Sequence, residues 1–382
     1  LILFALAHLS HHILGSMIIP LLPFIRDEFA LDYTQAGWLI SAFTISYGIA
    51  QLPGGYLSDR FGARNIIITS ISGVALWGVL VGLSPGYTIM IVLLILLGLT
   101  SGGYHPSSSP LVSAAVAPKN QGRALGIHQV GGTLSFFLAP LIAVGIAASL
   151  GWRGSFISVA IPVFIFGIGF YLLLRRRRVT TKAVSTATED TETKLPRAQL
   201  RRLIAVIVIG IAIQAVLFSA VSYLPLFAVD TLGVSMTTAA ILLSVFHSGG
   251  LWAGPAGGYL SDRIGKVPVL LALSLLSGPV LYLLNITSFG WGIFLTLIVL
   301  GASMYVAMLI TEGYIVTHTS PQRRSTILGI YFSASRGGPG LIIPLLGYII
   351  DLWGFFTAFT IASATLLAIA LASCVVLRDK GG

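Results

Sequence analysis

Gly54-Gly55-Tyr56-Leu57-Ser58-Asp59-Arg60 recurs letter for letter as Gly257-Gly258-Tyr259-Leu260-Ser261-Asp262-Arg263, an offset of 203 residues. The same offset aligns Phe24 with Phe227, Asp27 with Asp230, Thr34 with Thr237, Phe43 with Phe246 and Pro118 with Pro321. It also aligns Leu125-Gly126-Ile127 with Leu328-Gly329-Ile330, Gly151 with Gly354, and Phe156 with Phe359. Agreement at one fixed spacing along most of the chain means a duplicated unit, not a stray motif. The unit is made for lipid: 56% of the 382 residues are hydrophobic and 9% are charged, against about 25% charged in a soluble domain. A chain of this length has too little interior to hide so much apolar surface from water.

A helix needs about 20 apolar residues to cross a bilayer, and dividing the chain at its charges and turn clusters predicts twelve spans. They run over 1–25, 36–56, 66–83, 87–113, 123–148, 153–174, 203–227, 237–259, 268–286, 291–318, 326–350 and 355–377. The first begins at Leu1 with neither Met nor a basic leader, and is read as a helix and not a cleaved signal peptide. The segment 175–202 is rich in Thr, Lys and Glu and is expected to be a linker between two six-helix halves, 1–174 and 203–382. The predicted fold is therefore all-α and integral to the membrane. Parallel duplication of an even number of helices relates the halves by an axis along the membrane normal, with a cavity between them near the midplane.

The net charge of +10 does not point to nucleic acid, because nineteen of the 22 Lys and Arg fall in segments on one side of this topology. The positive-inside rule makes that side, and both termini, cytoplasmic, in a cell (inner) membrane. Cys374 is the only cysteine, which excludes an intrachain disulfide and any multi-cysteine metal or iron–sulfur centre.

The repeated motif, extended to Gly55-x-x-x-Asp59-Arg60-x-Gly62-x-Arg64 and Gly258-x-x-x-Asp262-Arg263-x-Gly265-Lys266, resembles the loop between helices two and three of the major facilitator superfamily. Gly55 and Gly258 are expected to permit close helix approach, and Gly62 and Gly265 a tight turn. Asp59 and Asp262 can accept from a helix N-terminus or an arginine, so the cluster is expected to act as a conformational gate that latches in one state and releases in the other. Within that superfamily, Gly103-Tyr104-His105-Pro106 with His128-Gln129-Val130-Gly131-Gly132 and Ala139-Pro140-Leu141 resembles the fosmidomycin-resistance group of exporters. That group carries Asn-Asp after its first-helix histidine, where this chain has His11-His12. The resemblance implies proton-driven export of small, often anionic or amphipathic compounds, by a monomer.

Ionisable groups inside a span are costly and mark function. His8, His11 and His12 fall at i, i+3 and i+4 and share a helix face; His105, His128, His247, Glu312 and Arg336 lie on later spans. In the superfamily helices one, four, seven and ten line the cavity, which would bring the first-helix histidines, His105, Gln214 and Glu312 together. Substrate binding is expected from His12, His105, His128, Gln214 and Arg336. Proton coupling is expected from Glu312, His8, His11 and His105, either with Glu312 free to titrate or with Glu312 and Arg336 locked as a static salt bridge. No His pair has a Cys, Asp or Glu at ligand spacing, so no metal site is expected. No cofactor is implied, and no nucleophile and base pair up, so the chain is not read as an enzyme. The alternative to export is an organic-anion/proton uptake symporter in which Arg336 binds the anion.

Overall fold

The computed structural model describes residues 1–176 and 196–378; most of the expected linker lies outside the described residues. Among the described residues the regular structure is helical: α1 (Ile2–Ser16), α2 (Ile18–Phe29), α3 (Tyr33–Phe61), α4 (Ala63–Gly82), α5 (Tyr87–Ser101), α6 (Tyr104–Ala114), α7 (Gln121–Arg176), α8 (Arg197–Ser222), α9 (Leu224–Asp230), α10 (Met236–Ile264), α11 (Lys266–Tyr282), α12 (Trp291–His318), α13 (Pro321–Gly337) and α14 (Pro339–Arg378). Nine stretches among these residues are long and apolar enough to cross a membrane. Two of those, Gln121–Arg176 and Thr326–Val375, turn back at Gly151 and Gly354, whose φ of 66° and 75° no helix continues through. The 29-residue α3 is not one of the nine, because Ser41, Thr44, Ser46, Gln51 and Ser58 dilute its hydropathy. It buries all five.

Several predicted spans are broken helices. The first bends at Met17, ahead of Pro20 and Pro23, the fourth at Gly102-Gly103, ahead of Pro106, and the seventh at Tyr223, ahead of Pro225. Proline supplies no backbone donor and clashes with the preceding turn, so the helix re-forms at a new angle.

The duplication is written into the backbone. Positive φ occurs at Ala30 and Gly233, Gly62 and Gly265, Gly151 and Gly354, each pair separated by the offset of the motif repeat. Asp32 caps α3 and its counterpart Ser235 caps α10 through the same N3 amide bond. Helix packing repeats as well: a Cβ on Gly98 would stand 2.5 Å from the Phe43 carbonyl, and one on Gly301 would stand 1.9 Å from the Phe246 carbonyl. Small residues let backbones touch where lipid offers no hydrophobic drive to association.

The tight turns expected at Gly62 and Gly265 are present, with φ of 85° and 96°. The close helix approach expected at Gly55 and Gly258 is not, since nothing lies within 4 Å of a Cβ at either. The preceding residues make it: Gly54 abuts the Gly102-Gly103 break and Gly257 abuts Val306. One residue is about 100° of helical rotation, which turns the second glycine of each pair away from its neighbour.

Candidate functional site

A cavity lies between the halves, lined by His12 from α1, Thr44 and Tyr47 from α3, Phe136 from α7, Gln214 from α8, His247 from α10, Met304, Tyr305 and Met308 from α12, and Ser335 and Arg336 from α13. It offers about 60 Å³ to the centres of water-sized molecules, room for a handful of waters. Gln214 donates to the Tyr331 hydroxyl at 2.6 Å, and His247 Nδ1 shares a hydrogen bond with the Tyr305 hydroxyl at 3.0 Å. Among the described residues the Arg336 guanidinium donates to a weak acceptor, the Met308 sulfur at 3.6 Å. Among the described residues no carboxylate lies within 4.0 Å of it, so the static Glu312–Arg336 salt bridge is not formed. Glu312 is one turn beyond Met308 on α12, half-buried, and outside the cavity lining. The expected convergence of Glu312 and His105 with His12 and Gln214 on one cavity wall is thus only partly met.

The histidines of α1 do share a face, and that face meets α6 and α7. His8, His11, His12 and His128 are buried and His105 is half-buried. His8 stacks on His128 at 4.3 Å between ring centroids, and His11 on Tyr104 at 4.1 Å. His8 Nδ1 lies 2.9 Å from the His128 carbonyl, and His128 Nδ1 lies 3.0 Å from the Phe4 carbonyl. A carbonyl only accepts, so both rings carry their proton on Nδ1. Of this group His12 alone lines the cavity; it faces His105 with the Nε2 atoms 3.2 Å apart. His128, expected to touch substrate, stands stacked behind His8, outside the cavity lining.

Two features differ from the sequence expectation. The aromatic lining from Tyr47, Phe136, Phe218 and Tyr305 is not legible in the sequence, since an aromatic in an apolar span carries no mark of which face it takes. Sequence spacing showed no ligand set, and the fold brings three ligand atoms, from His8, His12 and His105, within 4.8 Å of one another. Sequence spacing could relate His8 to His12 but not to His105, which comes from another helix.

The two faces of the molecule differ. On the face bearing the repeated motifs, Asp59 and Asp262 are exposed and make no hydrogen bond or ion pair among the described residues. Arg60 bonds locally to the Tyr56 hydroxyl and Arg263 lies over the Tyr259 ring, while Lys266 reaches across to the Gly313 carbonyl on α12. On the opposite face the halves are tied together. Arg26 makes a two-pronged ion pair with Asp230, whose carboxylate also accepts from the Tyr33 hydroxyl at 2.8 Å. Burial, and then the bond to Asp230, push the Tyr33 phenol up to about 12, so it remains a donor. Asp351 accepts from the amides of Tyr33 and Thr34 at 2.9 Å each, and the Tyr223 hydroxyl donates to the Tyr33 and Ile343 carbonyls.

Known proteins were compared with the chain. The profile described as Major Facilitator Superfamily matches residues 4–251 and 229–381. The fosmidomycin resistance protein of Escherichia coli (strain K12) is 25% identical over 355 residues, 91% of this chain and 85% of that protein. The multidrug resistance protein MdtG of Enterobacter lignolyticus (strain SCF1) is 26% identical, covering 96% and 89%. Sugar-acid carriers match over shorter stretches: the hexuronate transporter of Bacillus subtilis (strain 168) is 26% identical over 64% of this chain and 59% of its own length. Among solved structures, a POT family transporter in complex with 5-aminolevulinic acid superposes with a TM-score of 0.84 at 14% identity, covering 98% of this chain and 95% of the other. That likeness speaks for the fold.

Proposed function

Because the chain belongs to the Major Facilitator Superfamily, and so is a multi-pass membrane transporter and not an enzyme, we propose that it is a proton-coupled exporter of small organic, drug-like or anionic compounds working by alternating access. The observation that carries this reading is the cavity between two repeated halves, mostly apolar with His12, Gln214, His247 and Arg336 set into its wall, barred on one face by the Arg26–Asp230 and Asp351 contacts. A rocking carrier needs such a site and such a bar. Likeness to the fosmidomycin resistance protein and to MdtG over most of their lengths supports the export direction.

In this reading the motif face is cytoplasmic, both termini are cytoplasmic, and the monomer sits in the inner membrane. His12, Gln214 and Arg336 contact substrate, with His105 and His128 behind them. Glu312 carries the coupling proton, with His8, His11 and His105 as candidate relays elsewhere in the membrane interior. Gly55, Asp59, Arg60, Gly62 and Arg64, with Gly258, Asp262, Arg263, Gly265 and Lys266, form the gate that closes when the opposite face opens. The test is counterflow in proteoliposomes with a panel of compounds under imposed pH gradients of either sign. Proton-driven movement out of the motif side is expected, and no response to either gradient would remove the coupling. A second reading, proton-coupled uptake of an organic anion, is favoured by Arg336, a guanidinium in the cavity with no carboxylate partner among the described residues, and the same assay separates the two by direction.

A further inference from the structure

We propose that His8, His12 and His105 form a binding site for a late first-row divalent ion such as Zn²⁺, whose open coordination position takes an oxyanion from the central cavity. The three rings stand at the corners of a nearly equilateral triangle, with centroids 5.0, 5.1 and 5.2 Å apart. Two nitrogens on a tetrahedral zinc are about 3.3 Å apart, given Zn–N bonds of about 2.0–2.1 Å. His12 and His105 already present Nε2 atoms 3.2 Å apart, and all three ligand atoms lie within 4.8 Å of one another. A modest turn of one ring completes the set.

The surroundings suit a metal. His8 Nδ1 is held on the His128 carbonyl, the second-shell bond that fixes the tautomer of metal-ligating histidines. That leaves the lone pair on Nε2, which is buried and has no hydrogen-bond partner. An unsatisfied nitrogen in the interior is costly, and a bound ion would relieve it. His12 lines the central cavity, so an entry path and a fourth position exist on that side.

Charge decides what fills the fourth position. His128 packs on His8 and His11 on His12, and the cavity wall that His12 shares holds Arg336 and, among the described residues, no carboxylate. A divalent ion here carries uncompensated charge in a low-dielectric site beside a guanidinium, which only an anion can offset. The ion alone stands on geometry; the oxyanion rests on the reading of this cavity as a transport site for anionic compounds.

The test is an optical titration of the detergent-purified full chain, carrying no histidine tag, with Co²⁺ as the probe and Zn²⁺ as competitor. One equivalent of Co²⁺ should bind with the intense visible bands of four- or five-coordination, and Zn²⁺ should displace it. His12→Ala and His105→Gln should each weaken binding at least about tenfold, while His11→Gln and the exposed His318→Gln should leave it unchanged. Methylphosphonate should shift the bands and tighten Co²⁺, by the same factor with which Co²⁺ tightens methylphosphonate. Absence of saturable binding to the wild-type chain, or equal loss in His318→Gln, overturns the site. Should the triad variants misfold, the wild-type titration decides alone. Bands indifferent to methylphosphonate overturn the oxyanion ligand. Gradient-driven transport by the same preparation, stripped with chelator, separates the outcomes: transport without Co²⁺ binding defeats this inference only, and Co²⁺ binding without gradient-driven transport defeats only the transport reading.

Discussion

Among the described residues Glu312 and Arg336 do not pair with each other or with any other charged group. A carboxyl group with no direct counter-ion can change protonation without tearing an ion pair, which is what a coupling site requires. Glu312→Gln mimics the protonated form. It should abolish gradient-driven accumulation in proteoliposomes while sparing substrate exchange, which moves no net proton; full accumulation in that variant would shift coupling elsewhere. Arg336 offers a planar fork that lysine lacks. Arg336→Lys should weaken anionic ligands on the order of tenfold and neutral ones little, as read by ligand-induced thermal shift. An equal loss for both would make Arg336 a packing residue.

At the scale of helices, two devices repeat with the chain. The carbonyls of Phe43 and Phe246 are met face to face by Gly98 and Gly301. A methyl group at either glycine must push backbone, so Gly98→Ala and Gly301→Ala should each cost about 1–3 kcal/mol, measured as a lowered Tm in detergent. Unchanged melting would mean the helices give way freely. The exposed carboxylates Asp59 and Asp262 form the second device. Lying on the motif face and unpaired in this state, they should govern turnover and not binding. Asp59→Asn and Asp262→Asn are expected to slow transport several-fold while ligand affinity, measured by calorimetry, stays within a few-fold.

Across the whole molecule, the contacts from Arg26, Tyr33, Thr34 and Tyr223 to Asp230, Asp351 and Ile343 join the halves on one face, while on the other Asp59 and Asp262 have no partner among the described residues. Two-state carriers divide their population by such contacts. Removing a partly exposed ion pair shifts that balance by roughly 1 kcal/mol, about fivefold in population. Asp230→Asn should therefore populate the state open on this face. Spin labels at residues 31 and 231 would report it as a longer distance component; an unchanged distribution would show that the ion pair is incidental to the closure.

Much of this was legible along the chain. Span composition, the charge asymmetry, the motif at 54–60 and 257–263, and the shared face of His8, His11 and His12 follow from local periodicity and from what lipid tolerates. So did the turns at Gly62 and Gly265, because only a residue without Cβ takes that backbone freely. What tertiary structure alone decided are relations between distant segments. These are the meeting of His105 with α1, the separation of Glu312 from Arg336, the retreat of Gly55 behind Gly54, and which face is shut. Each depends on how helices rotate and tilt against one another. A helix of uniform apolar residues looks the same from every side, so its sequence does not say which side a neighbour will meet.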